Sequence, residues 1–191
     1  PKSCQFFLPS ILGRFKEEHP RCRFEVVDGD TPECIRMLRA NEIDLAITLE
    51  PRKADEIEFL PWFSDELHLV VPPDHPWAKT GWMKKGEIHK QNFILPNKKS
   101  YTFFLIMDYL KREEARISSF VEMSNLEAIK ELIKAGFGIS FLATWAVEKE
   151  VEAGDLVSVR PARRKLSRTW GISSPKGRGL SKTELAFARI G

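Results

Sequence analysis

Residues 123–142, MSNLEAIKELIKAGFGISFL, constrain the fold more than any other part of the chain. Apolar residues recur there at helical spacing with charged residues between them, which predicts an amphipathic helix. Ser124 and Glu127 have the spacing of a capping box at the start of that helix. Gly136 suits a left-handed residue at its end, and a β-rich run follows over residues 139–142. The stretch therefore predicts a capped helix that returns directly into a buried strand.

The start of this helix has a second interpretation. Its free backbone amides and partial positive charge suit an anion or another polar ligand. A purely structural cap in an ordinary α/β domain is the alternative, and these residues alone leave both open.

The rest of the chain repeats the alternation of helix and strand. Because a strand normally precedes the first helix of such a fold, we expect this chain to begin just after one. Three prolines within residues 72–77 predict a crossing between two lobes. The expected division is a discontinuous first lobe, 1–72 and 155–191, and a second lobe, 73–154. The predicted helices cover 6–19, a segment starting at Asp30, 84–90, 102–111, 144–151 and 180–190; the further strands cover 23–27, 43–49, 57–63, 66–71, 93–95, 117–122, 156–159 and 166–174.

Several classes of protein are disfavoured by what the sequence contains. Three cysteines at wide spacing indicate free thiols rather than a disulfide framework. The histidines have no metal-ligand spacing, and no nucleophile, base and orienting group form a recognisable set. We therefore expect neither a metal, nor a cofactor, nor an enzyme. Without a signal peptide or an apolar run of membrane-spanning length, we expect a cytoplasmic protein with no membrane partner.

Charge gives little direction. The net charge of +3 neither requires nor excludes nucleic acid. Five basic residues lie within 160–168, and we interpret them as a solvated loop before a strand, with a phosphate-contacting patch as the alternative. Glu113 and Glu114 are interpreted as helix surface.

Four stretches in this order resemble a known family: FLPSILGRFKEEHP, IDLAI, ELHLVVPPDHPWA and SNLEAIKELIKAGFGISFLATWAV. Together they look like the effector-binding domain of LysR-type transcriptional regulators, over nearly the whole chain. The resemblance implies two Rossmann-like α/β lobes joined by two crossover strands, a type II periplasmic-binding-protein-like fold, with the first strand missing. It also implies a small-molecule site in the cleft between lobes, a homodimer or homotetramer, and DNA binding through an absent upstream winged helix-turn-helix domain.

The resemblance places the effector site on loops at the carboxyl ends of strands and at helix N-termini, where open α/β sheets bind ligands. The turn at Ser100 carries two departures from the family pattern, because Tyr101 replaces a small residue and Phe103 and Phe104 replace polar ones. This aromatic bulk either narrows the cleft or favours an effector with an apolar or aromatic part; alternatively, Phe103 and Phe104 pack in the core. Lys98 and Lys99 either favour an anionic effector or form a solvated loop. The predicted effector-binding residues are Lys2, Ser3, Cys4, Thr48, Leu49, Ser100, Tyr101, Thr102, Ser124 and Asn125.

We therefore expect a sensor domain that binds a small molecule, anionic or aromatic, and changes how an oligomer presents its DNA-binding domains. A solute-binding protein of a transport system is the alternative. The sequence upstream of Pro1 would separate the two, since a winged helix-turn-helix there indicates a regulator.

Overall fold

A computed structural model describes residues 8–52 and 55–190 of the chain. It divides into two compact units, the first formed by Pro1–Ser64 with Thr169–Gly191 and the second by Asp65–Arg168. The helices are α1 (Leu8–Glu18), α2 (Thr31–Arg39), α3 (Pro76–Thr80), α4 (Tyr101–Arg112), α5 (Leu126–Lys134), α6 (Glu148–Ala153) and α7 (Lys182–Ala188), with 3₁₀ turns at Lys85–Lys90 and Thr144–Ala146. The strands are β1 (Ala46–Leu49), β2 (Ile57–Val71), β3 (Phe93–Leu95), β4 (Phe120–Glu122), β5 (Ser140–Ala143), β6 (Val157–Val159) and β7 (Ser167–Pro175).

The first unit pairs β1 with β7 in antiparallel register, from Ala46 opposite Ser173 to Leu49 opposite Trp170. Helix α2 begins as predicted, because the Asp30 side chain accepts a hydrogen bond from an amide of its first turn. The buried apolar face of α2 packs with β1 and the start of β2 into a core. Phe15 of α1 is fully buried.

The second unit combines parallel and antiparallel strand pairs. β3 pairs with β4 in parallel, and Phe93 forms a parallel bridge to Ile139, just before β5. β5 then pairs antiparallel with β2, and β2 also pairs with β6. Two apolar clusters form its core, in which Trp77, Phe93 and Phe141 are almost completely buried.

One predicted strand is absent, and two others are joined into one. Residues 23–27 form no strand and pair with none among the described residues, and Phe24, Val26 and Val27 are exposed. Residues 57–63 and 66–71 form one strand, β2, rather than two. The polar interruption at Ser64 and Asp65 does not break this strand, because both side chains bond to residues that flank the unit boundary in β7.

The crossing predicted over residues 72–77 also lies elsewhere. Pro76 begins α3, capped by His75, inside the second unit. The chain passes between the units within β2, at Ser64–Asp65, and within β7, at Arg168–Thr169. Residues 155–168 group with the second unit because β6 pairs with β2 there, whereas the expected division assigned them to the first lobe.

The capping box predicted at Ser124 and Glu127 is wrong by one residue. Asn125 caps α5, and its side-chain oxygen accepts a hydrogen bond of 3.1 Å from the Ala128 amide. The left-handed residue predicted after the helix is confirmed at Gly136, with φ of 75°. A complete capping box is found instead at the start of α7, between Ser181 and Glu184.

Candidate functional site

The second unit gathers several predicted residues at one edge of its sheet. Ser100–Thr102 follow β3 and Ser124–Asn125 follow β4, and these two strands are parallel neighbours. The Met123 amide donates to the Leu95 carbonyl at 2.9 Å, so the two connections leave the sheet side by side. The carboxyl ends of parallel strands form the edge where open α/β sheets bind ligands. We call this edge of the second unit the α4–α5 edge.

Ser100 caps α4, and its hydroxyl oxygen accepts a hydrogen bond of 3.2 Å from the Phe103 amide. Thr102, half-buried in the first turn of α4, accepts a hydrogen bond of 3.2 Å from the guanidinium of Arg168. Ser124 and Asn125 are exposed at the start of α5. Two helix N-termini and four polar side chains therefore lie along this edge.

Three further side chains belong to the same edge and were missed by sequence reasoning. Asp65 and Arg168 form a buried ion pair whose side chains are 4% and 6% exposed. Arg168 Nε donates to Asp65 Oδ1 at 2.8 Å, and a second bond joins Arg168 Nη2 to Asp65 Oδ2. The indole of Trp145, which follows β5, donates to Asp65 Oδ2 at 3.0 Å.

Arg168 thus overturns part of the interpretation of the basic segment as a solvated loop. Lys165 and Arg164 of that segment are exposed, but Arg168 is buried and paired. Glu113 also departs from its prediction as helix surface, because it is 7% exposed and lies 2.7 Å from the Lys85 ammonium.

The two phenylalanines at the start of α4 differ in burial. Phe103 packs against the core of the second unit, and Phe104 is 48% exposed. Lys98 is exposed and lies over the ring of Phe120, with Nζ 5.3 Å from the centroid. Tyr101 is the first residue of α4 and half-buried.

The remaining predicted site residues lie elsewhere. Lys2, Ser3 and Cys4 fall outside the described residues. Thr48 and Leu49 are in β1 of the first unit, where Thr48 Oγ1 shares a hydrogen bond of 2.7 Å with Ser173. Both residues are almost completely buried, so their described contacts are those of a core strand.

The first unit contains a cavity of about 900 Å³ that has a different character. Its walls are α1, α7, residues 22–28 and the segment leading into β1. Its charged lining is mainly acidic: Glu25, Asp28, Glu42, Asp44 and Glu184, against Arg23. Glu42 is bonded to Arg36, and Asp44 and Glu184 to Arg178, which satisfies these carboxylates without a ligand. The predicted polar residues of the second unit lie at the α4–α5 edge instead.

Other kinds of site find no support in residues 8–52 and 55–190. No group of three or more His, Cys, Asp or Glu side chains is placed to hold a metal ion among them. No helix in these ranges is long and apolar enough to cross a membrane.

The sequence profile described as "LysR substrate binding domain" matches residues 1–190. The chain belongs to this family. Membership confirms the resemblance, the periplasmic-binding-protein-like α/β fold and the prediction of a binding domain rather than an enzyme.

A curated relative, the "Probable RuBisCO transcriptional regulator" of Cyanidium caldarium, is 28% identical over 188 residues. The match covers 95% of this chain and 59% of that protein, so the chain spans less than two thirds of its relative. The Synechocystis PCC6803 CcmR regulatory domain in complex with 2-PG superposes with a TM-score of 0.86 at 24% identity, covering 96% of this chain and 88% of that one. The QuiR effector-binding domain in complex with shikimate superposes with a TM-score of 0.83 at 22% identity, and the match covers 96% of this chain and 88% of that one. These structures share the fold.

Proposed function

We propose that the chain is the effector-sensing domain of a LysR-type, DNA-binding transcriptional regulator. Its family and the names of its relatives support this role over the alternative of a solute-binding protein for transport. DNA would be bound by an upstream domain, and the effector would act by favouring one of two arrangements of the oligomer. A homodimer or homotetramer in the cytoplasm is part of the same proposal.

The α4–α5 edge is the proposed effector site. The observation that carries this assignment is the convergence of Ser100, Thr102, Ser124 and Asn125 beside the carboxyl ends of two parallel strands. Tyr101 belongs to the same turn and would border the ligand. Lys2, Ser3, Cys4, Thr48 and Leu49 stay predictions for which the described contacts provide no argument.

The hydrogen bonds of this edge favour an anionic effector. The Ser100 hydroxyl accepts from the Phe103 amide, and the Thr102 hydroxyl accepts from Arg168. Each hydroxyl therefore keeps a proton to donate, and an acceptor oxygen of a ligand suits that proton. The N-terminus of α4 adds positive potential at the same place, whereas the charge of the Arg168 guanidinium is balanced by the Asp65 carboxylate. A carboxylate or another oxyanion fits best, and an aromatic portion could contact Tyr101.

The test is isothermal titration calorimetry of the chain with small carboxylates, aromatic acids, phosphate esters, shikimate and 2-PG. For any compound that binds, Thr102→Val should weaken binding by about tenfold, the effect of one lost hydrogen bond. This substitution removes the hydroxyl and keeps the shape of the side chain.

Thr80→Val is the matched control, because it makes the same chemical change at the end of α3. It should leave affinity unchanged. Equal affinity of the wild-type and Thr102→Val chains for every binding compound would remove Thr102 from the site.

A further inference from the structure

The Asp65–Arg168 pair has a geometry that fixes the guanidinium. Two parallel hydrogen bonds between an arginine and a carboxylate define the plane and direction of both groups. The Trp145 indole bonds to the same carboxylate and restrains it from the side of β5. Arg168 therefore presents its remaining terminal nitrogen, Nη1, in one direction.

Stability is a poor explanation for this pair. Burying two charges costs about as much as their attraction returns, so apolar side chains of similar size often do as well. The pair also occupies a particular place, because Asp65 is the first residue of the second unit and Arg168 the last. Both strands that pass between the units are joined at this point.

Arg168 also contacts a residue of the proposed effector site, Thr102. Arg168 Nη1 donates to Thr102 Oγ1 at 3.2 Å, over a separation of 66 residues. Thr102 is the second residue of α4, so no helical turn precedes it whose carbonyls could fix its hydroxyl, and its χ1 rotamer depends on contacts outside the helix. The guanidinium selects the rotamer that turns a lone pair of Oγ1 toward Nη1.

We propose that Asp65 and Arg168 are positioning residues that hold the Thr102 hydroxyl in a single rotamer. Asp65 fixes Arg168, and Arg168 fixes the direction of the Thr102 oxygen, so the hydroxyl proton is available on the opposite side. The consequence for binding rests on the proposed function, in which that proton is donated to the effector.

The rotamer itself is tested without a ligand. Three-bond scalar couplings to the Thr102 methyl carbon, measured by NMR, report whether one χ1 rotamer or an average is present. The variant is Asp65→Asn/Arg168→Met, which removes both charges together and keeps an amide oxygen for the Trp145 indole. We expect one rotamer in the wild-type chain and averaged couplings at Thr102 in the variant.

Thr80 is the internal control, because its hydroxyl bonds to backbone carbonyls near α3 in the same unit. Its couplings should be the same in both chains. Unchanged couplings at Thr102, or averaging at Thr102 and Thr80 together, would overturn the positioning role. If the double variant does not fold, Arg168→Lys retains the charge without the planar fork and should also release the Thr102 rotamer; a fixed rotamer there overturns the proposal.

Binding is tested separately by following ¹H–¹⁵N spectra during titration with inorganic phosphate. The double variant should bind about tenfold more weakly than wild type, and in a Thr102→Val background the same pair of changes should cause no further loss. If the double change still weakens phosphate binding about tenfold in the Thr102→Val background, Asp65 and Arg168 do not act through Thr102, and the proposal is overturned. If the wild-type chain does not bind phosphate but the rotamer result is as expected, the positioning role of Asp65 and Arg168 is supported. Only the proposal of an anionic effector site is then contradicted.

Discussion

Gly171 of β7 occupies a position where no side chain fits. A Cβ atom there would lie 2.2 Å from the Leu60 carbonyl oxygen and 2.7 Å from the ring of Phe59. The nearer atom is backbone, so relief requires β2 and β7 to separate. We predict that Gly171→Ala lowers the free energy of unfolding by about 2 kcal/mol or more, as for other overpacked sites.

Gly13 provides the matched control for this change. It lies within α1, and an added Cβ meets nothing within 4 Å. Gly13→Ala should raise the free energy of unfolding by about 0.5–1 kcal/mol, since alanine loses less conformational entropy in a helix. Urea unfolding of both variants provides the measurement, and equal effects would contradict the close approach at Gly171.

Single residues also mark where sequence reasoning ends. Ser100 and Thr102 were predicted because the family resemblance places the effector site at the turn before this helix. Asp65 and Arg168 were not, because their contact spans 103 residues and the basic residues around Arg168 are typical of an exposed loop. The sequence around an arginine does not show whether its side chain is buried, because the carboxylate that compensates its charge is placed beside it only by the fold.

At the start of helix α5, the observed capping residue differs from the predicted one. The Asn125 side chain accepts from the Ala128 amide, whereas Ser124 lies one residue before the cap and is exposed. Asn125→Ala should lower the free energy of unfolding by about 1 kcal/mol, the usual cost of a lost N-cap. Ser124→Ala should change it by less than about 0.5 kcal/mol. Chemical denaturation would measure both, and a larger effect at Ser124 would restore the capping box that the sequence predicts.

Tyr109 of helix α4 should make the free energy of unfolding depend on pH in the alkaline range. Tyr109 is buried in the second unit, and its hydroxyl donates to the Arg164 carbonyl at 2.8 Å. Burial, together with the nearby Glu113 carboxylate, raises the pKa of Tyr109 to about 12 from 10.0. The unfolded chain therefore loses this proton at lower pH than the folded chain, and the contribution is complete below pH 10 and is lost as pH rises toward 12.

Unfolding free energies measured between pH 9 and pH 11 should thus fall more steeply for the wild-type chain than for Tyr109→Phe. The phenylalanine variant lacks the titrating group but retains the ring in the core. Parallel slopes for the two chains would show that Tyr109 ionises equally in the folded and unfolded states.

The helices were predicted better than the strands for a physical reason. The hydrogen bonds and caps of a helix involve residues within about a dozen positions of one another, so a short stretch of sequence is enough to recognise it. The continuity of β2 depends on partners in β5, β6 and β7, far away in the chain. Residues 23–27 have strand-like composition, but composition alone does not provide a pairing partner.

For the whole molecule, the α/β character and the discontinuous first unit were both visible in the order of elements. The boundaries were not, because prolines at 72–76 suggested a break where the chain starts a helix. The true passages lie inside continuous strands, at Ser64–Asp65 and Arg168–Thr169. Strand continuity is set by neighbours in the sheet, so a local search for breakers does not find such a passage.

The proposed oligomer is tested on the whole chain. Several large apolar side chains are exposed on the single chain, among them Val121 at 57% and Phe137 at 67%. Exposed apolar surface of this kind is often covered by a partner. Sedimentation equilibrium at tens of micromolar, in a concentration series, should show an apparent mass above the 22.0 kDa of one chain and rising with concentration. A single species of 22.0 kDa across the whole series would show that this chain does not form the proposed dimer by itself.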